Sequence, residues 1–135
     1  MALTYAQAKE QFGSGGGIGF HATTYKAAST LSALTDGYLL ALTGIGEVGL
    51  GSDANPPIGV QVGYDADGYV AVQDAGYAID VPMYGDELTA AGDWAECHGD
   101  GAAAKSTTFK GATCIAFDAT NNLAILLLGS PSGSR

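Results

Sequence analysis

Positive charge is the scarcest property of this chain. Five Lys and Arg stand against 14 Asp and Glu in 135 residues, for a formal net charge of −9. From Ala27 to Ala104 there is no Lys or Arg at all, and that stretch holds 12 of the 14 acidic residues, from Asp36 to Asp100. Nucleic-acid affinity at ordinary salt comes largely from cations that neutralise phosphates, so a DNA or RNA partner is excluded. Anionic membrane surfaces are disfavoured for the same reason. Long apolar runs are missing too. The longest aliphatic run, Leu123-Ala-Ile-Leu-Leu-Leu128, is far short of the ~20 residues that span a bilayer. The opening residues, Met1 to Glu10, lack the basic start and apolar run of a secretory signal, and a soluble chain made in the cytosol is expected. Two cysteines, Cys97 and Cys114, are too few for a disulfide framework and are expected to be reduced, part-buried thiols.

What is abundant is glycine. The 21 glycines are about twice the ~7% of average usage. Glycine is costly inside helices, so the composition favours many short strands joined by tight turns. A chain of this length fits one domain that buries roughly two-thirds of its unfolded surface. The expected fold class is mainly β: a compact β-barrel or β-sandwich-like domain of short strands with a short N-terminal helical arm. Residues 1–17 read as the arm and a Gly-rich linker, 18–130 as the β-rich domain, and 131–135 as a flexible C-terminal tail.

The arm carries a helix signature over residues 4–12. Thr4 and Gln7 form a capping box, Gly13 supplies a stop, and Tyr5, Ala8 and Phe12 make the apolar face. Two helical turns are not stable alone in water, so this helix must dock or fray. The run Gly13-Ser-Gly-Gly-Gly17 behaves as a linker. Strands are expected at Ile18–Thr24, Gly37–Thr43 and from Pro57 to Val62. The clearest hairpin pairs Val60–Tyr64 with Tyr69–Gln73 across Asp65-Ala-Asp-Gly68. A second turn, Asp74-Ala-Gly76, is expected to precede a strand in which Tyr77, Ile79 and Val81 share one face. The last pair is Thr113–Phe117 with Leu123–Leu128, whose second strand is apolar on both faces. Such a strand is central or covered by something else, in a small chain by another subunit. A Gly-Tyr step recurs at Gly37, Gly63, Gly68 and Gly76 without a fixed period, which excludes a solenoid or propeller.

Motifs that suggest chemistry fail on context. Gly44-Ile-Gly-Glu-Val-Gly49 matches the dinucleotide fingerprint, but that motif must open a helix, and Gly51, Pro56 and Pro57 forbid one. Asp65-Ala-Asp-Gly68 resembles the start of a calcium loop, yet the twelfth position is Gly76 instead of Glu, and turn preference explains the same residues. Cys97, His98, Cys114 and His21 lack the spacing of a zinc site, and no Gly-x-Ser-x-Gly elbow is present. Two carboxylate pairs, Asp86 with Glu87 and Asp93 with Glu96, are expected in solvated loops with ordinary pKa values. His98-Gly-Asp-Gly101 reads as a polar turn after the Trp94 strand. No cofactor, metal or catalytic residue is assigned, and a small enzyme or calcium module using Asp65, Asp67, His98 and Asp100 is the reading from another class.

The order of Pro57-Ile-Gly-Val60, Tyr69-Val-Ala-Val72, Tyr84-Gly-Asp-Glu-Leu-Thr-Ala-Ala-Gly-Asp93 and a final apolar strand resembles the small head decoration, or capsid cement, proteins of tailed bacteriophages, over roughly residues 29–128. The resemblance implies a homo-oligomer, with a trimer favoured, seated on the outer capsid surface of the virion after assembly in the host cytoplasm. Its partner would be the lattice of the major capsid protein, and its role would be to stabilise the shell without catalysis. Other virion modules, such as a head fibre base, tail tube or adhesin, share the strand pattern. The expected interface residues are Tyr5, Ala8 and Phe12 of the arm and Leu123, Ile125 and Leu127 of the last strand.

Overall fold

The computed structural model describes residues 3–14, 21–85 and 87–129. Helix α1 spans Tyr5–Ser14. Gln7 N donates to Thr4 Oγ1 at 3.2 Å and Thr4 N donates to Gln7 Oε1 at 3.0 Å, the reciprocal bonds of a capping box. The helix runs through Gly13 instead of stopping there; of the expected linker, Gly13 and Ser14 are helical and 15–17 lie outside the described residues.

Nine strands follow: β1 His21–Ala27, β2 Leu39–Gly44, β3 Glu47–Gly49, β4 Gly59–Asp65, β5 Tyr69–Pro82, β6 Trp94–Cys97, β7 Ala103–Ser106, β8 Ala112–Asp118 and β9 Leu123–Leu128. The fold is mainly β, as the composition implies, with all nine strands in one sheet of order β1-β3-β2-β4-β5-β9-β8-β6-β7 instead of a simple barrel. The two expected hairpins are present. Residues 18–20 of the first expected strand lie outside the described residues, and β4 begins at Gly59, past both prolines, which have no N–H for the ladder.

Two expectations around residue 76 are corrected. Asp74-Ala-Gly76 does not turn: β5 runs for 14 residues through it, because its first part pairs with β1 and β4 and its second part with β9. Nor do Tyr77, Ile79 and Val81 share a face. Asp80 takes a φ of 57° and the register slips between Ala78 and Val81, a bulge that turns both Ala78 and Val81 into the core.

The pairings show one plan used twice, with β5 shared. In the first half, residues 21–75, β1 lies parallel to β3, β3 pairs with β2, β2 with β4, and β4 with the start of β5, which returns to β1. In the second half, residues 76–129, the end of β5 meets β7 in a parallel bridge at Met83 and Ala103. There β7 pairs with β6, β6 with β8, β8 with β9, and β9 returns to β5. Single bonds repeat as well. Gly37 N donates to Gln61 O at 2.8 Å, and Gly92 N donates to Cys114 O at 2.7 Å. Ala27 N donates to Gly68 O and Met83 N to Asn122 O, both at 2.8 Å. The bulge between Gln61 and Gly63 in β4 recurs between Cys114 and Ala116 in β8. Tyr64-Asp65-Ala66 recurs as Phe117-Asp118-Ala119 at the mouths of the two hairpins, where Asp65 accepts from Asp67 N at 2.9 Å and Asp118 from Thr120 N at 3.0 Å.

Each half encloses its own core. Leu31, Leu40, Val48, Val70 and Val72 fill the first. The second is built from smaller side chains, Ala95, Ala103, Ala112, Ala124, Cys97 and Cys114 among them, around Leu88, Leu126 and Leu128. Leu39, Ala41 and Val60 of the first half join this second cluster, so apolar packing is continuous across the seam.

Candidate functional site

The residues expected to meet a partner are largely spent inside the chain. Ala8 is buried, Phe12 lies 4.5 Å from the Tyr77 ring, and Tyr5 Oη donates to Asp80 Oδ1 at 2.9 Å. Lys9 Nζ sits 2.6 Å from the other oxygen of Asp80. The helix therefore docks on β5 of its own chain, which supplies the tertiary support that two or three turns need. Burial, with the Asp80 carboxylate beside it, pushes the Tyr5 hydroxyl pKa up. In β9, Ile125 is 0% exposed and belongs to the interior, while Leu123 and Leu127 are half-buried. The apolar second face of β9 is in large part core, because β9 is central between β5 and β8.

Most of the polar groups singled out in the sequence are tied up locally, although His98 Nδ1 is buried without a hydrogen bond of good geometry. Gly44 to Gly49 is the β2–β3 hairpin and Asp65 to Gly68 the β4–β5 turn. His98 stacks on Tyr84 at 3.5 Å between ring centres, with Nδ1 3.1 Å from Asp100 and Nε2 3.9 Å from Asp53. Burial works to raise the Asp100 pKa, but the Ala102 N–H and His98 outweigh it and hold it below the usual range. The same balance holds Asp74 low through His21, at 2.7 Å, and Thr23, at 2.8 Å. Glu96 is not in a loop as expected. It lies in β6, and its carboxylate is held low by the hydrogen bond from Lys110 Nζ at 2.9 Å. Asp93 accepts the N–H groups of Thr89 and Ala90 at 3.0 and 3.1 Å, a loop-capping role. Asp86 lies outside the described residues.

Cys97 and Cys114 are both buried free thiols. Burial pushes Cys97 up to about 12 and Cys114 to about 11, and a thiol held neutral is a poor nucleophile and ligand. Among the described residues no three His, Cys, Asp or Glu side chains converge as a metal site. No described helix is long and apolar enough to cross a membrane.

What the surface does offer is apolar. Leu42 and Ile45 stand out on the β2–β3 hairpin, 54% and fully exposed. At the second half, Trp94 and Phe109 are 40% and 39% exposed and meet edge to face at 6.3 Å. A third feature is an open groove of ≈ 550 Å³ on the first half, lined by Thr24, Gly63, Tyr64, Asp65 and the start of β5. In the second half the end of β5, which takes the place of β1, carries α1 with β8 beside it. None of these surfaces was singled out from sequence. The available signal was Ile45 set between two turn glycines, an apolar residue where a polar one is usual. In comparisons with known proteins, no family model matches this chain and no curated protein matches it in sequence.

Proposed function

We propose that this chain is a structural virion protein: a capsid decoration, or cement, protein that binds the outer surface of a tailed-phage shell as a homo-oligomer and stabilises it. The sequence resemblance motivates the reading. The observation that carries it is the pairing of exposed large apolar side chains, Leu42 with Ile45 at one hairpin and Trp94 with Phe109 at the other half, on a chain of net charge −9. Apolar side chains clustered in this way mark protein contacts more often than catalytic clefts.

Physically the role asks for little chemistry. A cement protein adds buried area where shell subunits meet, and many copies on a repeating lattice gain avidity without any single tight contact. Near-closed pairing in both halves leaves little open strand edge to aggregate, and an outward charge of one sign keeps decorated particles apart. The trimer is part of the proposal, as is the major capsid protein lattice as partner.

The test is co-sedimentation of the purified chain with expanded capsids of its own phage, followed by electron microscopy. Saturable binding with added density on the shell is the expected result. No binding sinks the reading, and density on tails assigns the chain to another virion module.

A further inference from the structure

Within one chain the two halves meet through unlike surfaces. The β6–β7 hairpin of the second half is seated on the first. Leu39 N donates to Gly101 O at 2.9 Å, and Cys97 exchanges both backbone bonds with the loop after β3: Ala54 N to Cys97 O at 2.9 Å and Cys97 N to Asn55 O at 3.0 Å. The Tyr38 ring lies so close over Gly101 that no Cβ fits there. So the seam joins the hairpin of one half to the second strand and the following loop of the other.

Because the plan is used twice, each member of this seam has a counterpart at a free end. The counterpart of the β6–β7 hairpin is the β2–β3 hairpin: Leu42 pairs with Val48 as Cys97 pairs with Ala103. Among the described residues its tip meets β1 through one backbone bond, Lys26 N to Gly46 O at 3.0 Å, while Leu42 and Ile45 are left exposed. The counterpart of Leu39 is Trp94, since Leu39 pairs with Val60 in β4 as Trp94 pairs with Thr113 in β8. The counterpart of the loop after β3 is the loop after β7, which holds Phe109. Four of the exposed large apolar side chains, Leu42, Ile45, Trp94 and Phe109, thus sit on the two surfaces that the internal seam leaves unmatched.

We propose that a second copy of this chain supplies the missing contact: the hairpin at Leu42 and Ile45 of one copy seats against Trp94 and Phe109 of the next, repeating between copies the seam that joins the halves within one. The loop after β7 is shorter than its counterpart and carries an aromatic, so the contact between copies is apolar where the internal seam is hydrogen-bonded. Such an interface is head-to-tail. It closes into a ring if the rotation from copy to copy divides a full turn, and extends as a filament if it does not. The inference deepens the oligomeric part of the proposed function and rests on it.

Cysteine pairing tests it on the full chain. Ile45→Cys and Phe109→Cys are made separately and together; the native Cys97 and Cys114 are buried and do not compete. Under mild oxidation the mixed single variants are expected to give a covalent heterodimer and nothing larger, and the double variant a ladder or a closed covalent ring. Leu34→Cys, at another exposed site, replaces Ile45→Cys in the control and should lose the product. Homodimers of either single variant at the heterodimer's level, or no product above the control, overturn the proposal. In solution, Ile45→Asp and Phe109→Asp should each lose the wild-type oligomer mass. A wild-type chain that stays monomeric yet decorates capsids refutes this interface and leaves the capsid reading standing, and an oligomer linked in this way that ignores capsids does the reverse.

Discussion

The two halves hold the same backbone plan with different side-chain chemistry. At one shared position the first half has Gln61 and the second has Cys114, and each backbone exchanges bonds with the segment just before its partner strand: Gly37 and Tyr38 before β2 in one case, Gly92 and Asp93 before β6 in the other. Gln61 is buried and polar. Its Nε2 donates to Ser32 O and Asp36 Oδ1, both at 2.8 Å, and its Oε1 accepts from Thr35 Oγ1 at 2.8 Å. Cys114 makes no such network; there Leu88 packs into the core and Asp93 ties the loop through Thr89 and Ala90. The plan therefore lives in the backbone bonds, and a polar latch or an apolar plug will each complete it.

That comparison is broken most forcefully at Gln61. Gln61→Ala removes the three hydrogen bonds of a buried side chain and opens a cavity, leaving Thr35 Oγ1 and Ser32 O only each other at 2.8 Å and their local backbone bonds, at an expected cost of about 3 kcal/mol. Cys114→Ala at the matched position removes one buried sulfur and should cost about 1 kcal/mol. Urea unfolding of both variants reads the difference, and equal losses would show that the latch is not what holds the first half.

A second pair of matched sites compares the seam with the free end. Gly101 and Gly46 both have positive φ, 90° and 70°, but the Tyr38 ring would crowd a Cβ at Gly101 while a Cβ at Gly46 would meet nothing within 4 Å. Gly101→Ala should cost about 3 kcal/mol from overpacking plus backbone strain. Gly46→Ala should cost about 1 kcal/mol from strain alone, measured as the shift in thermal midpoint.

Acid sharpens the contrast further. Glu96 is paired with Lys110, whose Nζ also donates to Ala54 O across the seam at 2.9 Å; the matched residue in β2 is Ala41, with no charge. The folded-state pKa of Glu96 is lowered from 4.5, so its contribution is present above the unfolded value and is lost as pH falls through the lowered one. Stability of the wild type should exceed that of Glu96→Gln by about 1 kcal/mol at neutral pH, and the gap should close on acidification below the ordinary carboxylate range. A gap that is constant with pH would assign the effect to packing. The smallest effect belongs to Ile45→Asp made in a Phe109→Asp chain that is already monomeric, where it should change the unfolding free energy by no more than about 0.5 kcal/mol, since Ile45 is fully exposed in its own copy.

Local structure was legible where a few neighbouring residues decide it. Thr4 and Gln7 announce the helix start, and Asp65 with Gly68 announces the hairpin, because caps and turns draw on side chains two or three positions away. Gly76 misled for the same reason: beside Asp74 and Ala75 it has the composition of a turn, but its positive φ is absorbed within β5, whose two parts pair with strands of the two halves. The bulge at Asp80 has no sequence mark, so the alternation from Tyr77 to Val81 pointed to the wrong face. The repeated plan shares few letters, the aromatic-Asp-Ala step at residues 64–66 and 117–119 and the matched glycines Gly37 with Gly92 and Gly46 with Gly101, since hydrogen-bonded register survives changes of side chain that erase likeness. The exposed hairpin hid inside a glycine motif whose only evident content was its turn.

The shared strand has a mechanical consequence. At about 3.3 Å per residue, β5 has a contour of at most roughly 45 Å, broken in line where Gly76 and Asp80 take positive φ, and it is gripped laterally by β1 and β4 near one end and by β9 near the other. Tension that draws the halves apart along that axis runs through covalent backbone, and its release requires rows of hydrogen bonds to shear together instead of opening one at a time. A chain clamped in this way resists stretching far better than it resists peeling.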